Sequence, residues 1–176
     1  MTSQPASGAI RVLVVDDSAL IRRLVTGILD EEPGVEVIGT APNGRVALER
    51  IAQLRPDVVT LDIEMPELDG IATVRELRRT DRATPVIMFS TLTERGASAT
   101  LDALVAGADD YVTKPSGAGS PAAAKDVVRA QLVAKVIAFH GWGTRWIAPR
   151  SQASVARTRC RRVWARDHSS STWAST

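Results

Sequence analysis

Five polar side chains stand where short strand-like runs stop. Asp16 and Asp17 follow Ile10–Val15, Asp62 follows Val58–Leu61, Ser90 follows Pro85–Phe89, and Lys114 follows Asp110–Thr113. Carboxylates brought to one place repel: two like charges about 4 Å apart cost about 4 kcal/mol at an effective dielectric of roughly 20. Three gathered carboxylates therefore require a cation or a raised pKa. Oxygen ligands with open positions suit Mg2+, which keeps several waters and bridges a carboxylate to a phosphate. A lysine adds a mobile positive charge and a serine hydroxyl adds a donor, and both suit phosphoryl oxygens. Asp62 can then serve as a nucleophile that forms an aspartyl phosphate. Any one of these aspartates alone is explained by a helix cap or a turn. Five such positions converging on one crevice are not.

That chemistry needs elements that carry all five positions to one rim. The first 139 residues alternate between two periods. Ile10–Val15 is an apolar, β-branched strand, and Ile21, Leu24, Val25 and Ile28 form a helical stripe closed by Pro33 and Gly34. Val35–Ile38 is a second strand, and Ala47, Ile51 and Leu54 mark a second helix that stops before Pro56. Val58–Leu61 is the third strand, followed by a helix with Ile71, Val74 and Leu77. Pro85–Phe89 is the fourth, with Leu101, Leu104, Val105 and Ala108 as the stripe of the next helix. Asp110–Thr113 is the fifth, and Val128, Leu132, Val136 and Phe139 mark the closing helix. Ser116–Pro121 reads as a flexible insert.

This alternation predicts an α/β fold: a five-stranded parallel sheet, order 2-1-3-4-5, with helices on both faces. Runs such as Val12–Val15 are apolar throughout, as expected of strands covered on both sides. In such sheets ligands bind beyond the carboxyl ends of the strands, at the switch point between strands 1 and 3. The polar cluster is expected at that point.

At these residues the chain resembles the response-regulator receiver family, with a flavodoxin-like fold, over residues 10–139. The matching motifs are Val15-Asp16-Asp17-Ser18, Leu61-Asp62-Ile63-Glu64-Met65-Pro66, Asp69-Gly70, Ser90 and Tyr111-Val112-Thr113-Lys114-Pro115. More narrowly, Ser90–Gly96 and Thr113–Ser116 are similar to the receiver half of the chemotaxis protein-glutamate methylesterases. The resemblance implies that Asp62 is phosphorylated from a phosphohistidine on a sensor histidine kinase. It implies that Asp17 and Asp62 bind Mg2+ directly, Asp16 through water, and Glu64 through its backbone carbonyl. Ser90 and Lys114 would contact the phosphoryl group, and Tyr111 would change rotamer and reshape the surface of helix 4, strand 5 and helix 5. The partners implied are the kinase and a methylesterase domain or chemoreceptor complex.

The composition sets further expectations. The chain has 176 residues, 44% hydrophobic and 24% charged, which is globular composition. No apolar run reaches the roughly 18 residues of a membrane span and no secretory signal is visible, so a cytoplasmic protein without membrane insertion is expected. The net charge of +2 is unevenly distributed: residues 140–176 hold seven Arg, one Asp, all four Trp, both His and the only Cys. These residues form an irregular basic tail, expected to be disordered or an out-of-frame remnant of a gene shifted near His140. Nucleic-acid binding through this tail is the weaker alternative, since it lacks an amphipathic recognition face. A metal site built from His140, Cys160 and His168 has no motif spacing to support it.

The methylesterases carry a serine hydrolase domain, and no hydrolase motif is found in this chain. The nearest string to G-x-S-x-G is Gly96-Ala97-Ser98-Ala99-Thr100, which lacks the last glycine. The chain as written is therefore expected to have no esterase activity. The competing reading is a protein-glutamate methylesterase of which only the regulatory half is present.

Overall fold

A computed structural model, which describes residues 8–91, 94–114 and 121–146, alternates strand and helix. The elements are β1 (Ile10–Val15), α1 (Ala19–Asp30), β2 (Val35–Ala41), α2 (Gly44–Leu54) and β3 (Val58–Asp62), followed by α3 (Gly70–Thr80), β4 (Val86–Thr91), α4 (Glu94–Ala106), β5 (Asp110–Lys114) and α5 (Pro121–Trp146). The strands form one parallel sheet in the expected order, β2-β1-β3-β4-β5. The sheet belongs to the unit spanning Met1–Gly143, and Thr144–Thr176 is a separate unit.

The unbroken apolar runs are explained by what covers them. Val12 and Val14 of β1 pack with Val25, Ile28 and Leu29 of α1 and with Val128, Leu132 and Val136 of α5. Leu13 and Val15 point the other way, toward Ala47 and Ile51 of α2, Val74 and Leu77 of α3, and Ala103 of α4. Each such buried Val, Leu or Ile side chain contributes about 1.5–3 kcal/mol relative to exposure.

Three helices following these strands are capped by the residue before them. Ser18 Oγ accepts from the Ile21 N–H at 3.4 Å, Asn43 Oδ1 from Val46 N–H at 2.9 Å, and Asp69 Oδ1 from Ala72 N–H at 2.7 Å. At its far end α2 is closed by Arg55 in the left-handed region, φ 48. The Arg11 guanidinium of β1 donates to the carbonyls of Leu54 and Arg55 at 2.7 and 3.0 Å, satisfying acceptors the helix leaves open.

Two expectations change. The α4 stripe is split: Leu101 is 65% exposed and Val105 88%, while Leu104 packs against the core, Ala103 is buried, and Ala108 is buried past the helix in the turn to β5. Leu101 and Val105 thus face outward. His140, expected outside any helix, lies within α5, which continues past Phe139 to Trp146 despite the low helix propensity of Gly141 and Gly143. Residues 116–120 of the expected insert, and the tail from 147 onward with Cys160 and His168, lie outside the described residues, and Pro121 of that insert instead opens α5. Among the described residues, no helix is long and apolar enough to cross a membrane.

Candidate functional site

The carboxyl ends of β1, β3, β4 and β5 meet at one rim. β1 delivers Asp16 and Asp17, and the turn there is tied down from both sides. Asp16 N–H donates to Ala41 O at the end of β2 at 3.1 Å, and the Arg22 guanidinium of α1 donates to the carbonyls of Asp16 and Asp17 at 2.6 and 3.0 Å. Asp16 Oδ1 accepts from Ser18 N–H at 2.8 Å. Asp62 is the last residue of β3 and pairs with Phe89 of β4, and Thr91 of β4 pairs with Lys114 of β5. Ser90 lies between those two positions, opposite Thr113. Parallel pairing thus brings positions separated by tens of residues to the same level.

One carboxylate oxygen from each of Asp16, Asp17 and Asp62 lies within 4.8 Å of the others. Asp16 and Asp62 are buried, whereas Asp17 is exposed. Lys114 Nζ lies 2.8 Å from Asp16 Oδ2 and 2.8 Å from Asp62 Oδ2, and 5.7 Å from the centroid of the Phe89 ring below it. The Lys114 ammonium is thus the group that faces the buried Asp16 Oδ2. An acceptor oriented into the cluster in this way suits a cation or a cation-bound water.

The electrostatics follow from burial. Desolvation pushes the Asp62 carboxyl up to about 6, with Asp16 adding to the rise. The Lys114 ammonium and the Ile63 N–H pull it back only in part. Burial pulls Lys114 down, but the two facing carboxylates outweigh it and hold the amine above its ordinary value. The cluster is therefore a site of excess negative charge, held together by one lysine.

The structure brings together Asp16, Asp17, Asp62 and Lys114, with Ser90 buried on the adjoining strand. Glu64 lies two residues past Asp62, its side chain exposed. Tyr111 lies apart from the carboxylates on β5, 46% exposed, its ring 5.8 Å from Lys135 Nζ of α5. Lys135 also pairs with Asp110. The sequence did not point to Arg22, because a guanidinium bound to main-chain carbonyls leaves no periodic or motif signal. The Gly96–Thr100 string lies inside α4 rather than at a strand-to-helix turn.

Comparison with known proteins identifies the family. The family model described as the response regulator receiver domain matches residues 12–123, and the chain belongs to that family. A protein-glutamate methylesterase/protein-glutamine glutaminase from a Nocardioides species is 61% identical over 127 residues, 72% of this chain and 35% of that protein. The protein of the same name from Trichodesmium erythraeum is 50% identical over 129 residues, 73% of this chain and 37% of that one. The chain thus spans about a third of the length of these relatives. Among solved structures, the response regulator domain of Thermotoga maritima CheB is 43% identical with a TM-score of 0.67, over 76% of this chain and 97% of that one. A chain of the CheX–CheY–BeF3–Mg2+ complex from Borrelia burgdorferi is 32% identical with a TM-score of 0.61, over 75% of this chain and 90% of that one.

Proposed function

We propose that this chain is a phosphoacceptor switch that takes a phosphoryl group from the phosphohistidine of a sensor kinase onto Asp62. Asp17 and Asp62, together with the Glu64 carbonyl, would hold Mg2+, and Asp16 would do so through water. The observation that carries this reading is the gathering of three carboxylates within 4.8 Å beside an ammonium 2.8 Å from two of them. The donor set fits: hard carboxylate oxygens, an exposed Asp17 for entry, and more carboxylates than the one lysine balances. Bound there, Mg2+ would supply positive charge that offsets the charge of the phosphoryl group.

The residues then have distinct work. An ionised Asp62 oxygen attacks phosphorus in line, and the P–N bond to the kinase imidazole breaks with its electron pair going to the ring nitrogen. Lys114 exchanges a carboxylate partner for a phosphoryl oxygen, and Ser90 donates its hydroxyl to another. The lost ion pair is the local charge event that biases Tyr111 and the neighbouring surface, where Leu101 and Val105 already lie exposed.

Similarity to the methylesterases supports a place in chemotaxis signalling in the cytoplasm, with a kinase and a methylesterase domain or chemoreceptor complex as partners. Ester hydrolysis is assigned to none of the described residues. Incubation of the whole chain with labelled acetyl phosphate tests the reading. Label that requires Mg2+ and disappears in Asp62→Asn supports it, and an equally stable label in Asp62→Asn reassigns the acceptor. Turnover of methylated receptor peptides by this chain would favour the competing enzyme reading.

A further inference from the structure

The loop after Asp62 is held from within by its own backbone and from outside by the start of α2. Gly70 N–H donates to Ile63 O at 2.9 Å and Leu68 N–H to Pro66 O at 2.8 Å, closing residues 63–70 into a tight turn. Glu67 sits in that turn at φ 66, in the left-handed region that glycine adopts far more readily. Such a conformation persists where the surroundings over-determine it. Here the surroundings are α2: Asn43 Nδ2 donates to Glu67 Oε1 at 2.9 Å, and Gly44 N–H donates to Leu68 O at 3.2 Å.

Asn43 is only 6% exposed, and its other side-chain atom caps α2 by accepting from Val46 N–H at 2.9 Å. One side chain therefore starts a helix and grips a loop at once. Gly44 permits the close approach, since a Cβ there would lie 1.8 Å from Thr73 Oγ1 and 2.6 Å from Leu68 O.

We infer that Asn43 is a positioning residue for the site: by gripping Glu67 it fixes the loop that carries the Glu64 carbonyl beside Asp62. The inference rests on the function proposed above. Glu64 lies between Asp62 and Glu67 in the chain, so slack at Glu67 becomes slack in the backbone oxygen assigned to the metal. Asp16 and Asp17 follow β1, outside this loop, and keep their positions. Loss of the grip therefore weakens metal affinity while leaving the acceptor carboxylate in place.

The test titrates the whole isotope-labelled chain with Mg2+, following amide shifts and amide hydrogen exchange. Asn43→Ser keeps a capping oxygen but has no amide to donate. The swap of Asn43→Asp with Glu67→Gln exchanges donor and acceptor across the same contact. In Asn43→Ser the dissociation constant for Mg2+ should rise about three- to tenfold, with exchange at Gly44 and Leu68 accelerated by a similar factor, as for loss of one hydrogen bond. Protection inside α2 should hold, and the swap should restore affinity and exchange together. Unchanged affinity in Asn43→Ser, or a loss the swap fails to reverse, overturns this inference alone. A wild-type chain that binds no Mg2+ overturns the proposed function and this inference with it.

Discussion

Lys114 Nζ stands 2.8 Å from Asp62 Oδ2 and 2.8 Å from Asp16 Oδ2, so one ammonium holds two buried carboxylates together. Without metal, the lysine is the counter-charge that makes the cluster tolerable. Breaking a buried pair is far costlier than removing it whole, because the partner is left charged and dry. Lys114→Ala should therefore lower stability by about 2–4 kcal/mol near neutral pH. Urea unfolding checks this, and the deficit should shrink with added Mg2+ or at about pH 5, where Asp62 takes up a proton.

Asp62 itself opposes folding of the metal-free chain. Its folded value of about 6 lies above the ordinary 3.8, so between those values the folded state binds more protons than the unfolded one. Stability contributed by this group is thus greatest at low pH and falls as pH rises through that window. Asp62→Asn removes the charge but keeps the shape. It should raise stability by about 1–3 kcal/mol above pH 7 and change little near pH 4. Thermal unfolding across that range, with metal chelated, reads the difference.

Gly70 closes the acceptor loop against β3. A Cβ there would lie 2.1 Å from Asp62 O and 2.9 Å from Ile63 Cα, both backbone atoms that cannot step aside. Gly70→Ala should destabilise the fold by about 2 kcal/mol or more. Phosphoryl labelling of the protein that remains folded should also fall, since the Asp62 carbonyl is displaced. Denaturant midpoints and labelling rates measured together separate the two effects.

Arg78 ties α3 to the turns beyond it. Its Nε donates to Gly107 O at 2.8 Å and its Nη1 to Thr84 O at 2.9 Å and Asp81 O at 3.2 Å, while Nη2 pairs with Asp109 at 2.9 Å. Gly107 has φ 112, and a Cβ there would lie 2.9 Å from Arg78 Cγ. Arg78→Ala leaves these carbonyls without their donors and should cost about 2 kcal/mol. Hydrogen exchange should accelerate first at Ala108 and Asp109, the turn into β5.

The architecture was legible because short β-branched or apolar strands alternate with helical stripes, and parallel pairing then forces the polar residues at the strand ends to one rim. Asp16, Asp62 and Lys114 could be placed for that reason alone. The orientation of α4 was not legible: Leu101 and Val105 repeat at helical spacing, and amphipathic periodicity cannot tell an inward stripe from an outward one. Nor could sequence reveal Asn43 gripping Glu67, or Arg11, Arg22 and Arg78 holding main-chain carbonyls. Those contacts depend on where the backbone turns rather than on any residue pattern.

The most direct measurement locates the phosphoryl group. The whole chain is labelled with acetyl phosphate and Mg2+, reduced with borohydride, which converts an aspartyl phosphate to homoserine, then digested and sequenced by mass spectrometry. Homoserine at position 62 alone is the expected outcome. Homoserine at Asp16 or Asp17 in its place, or a chain unaltered after incubation, would contradict Asp62 as the acceptor.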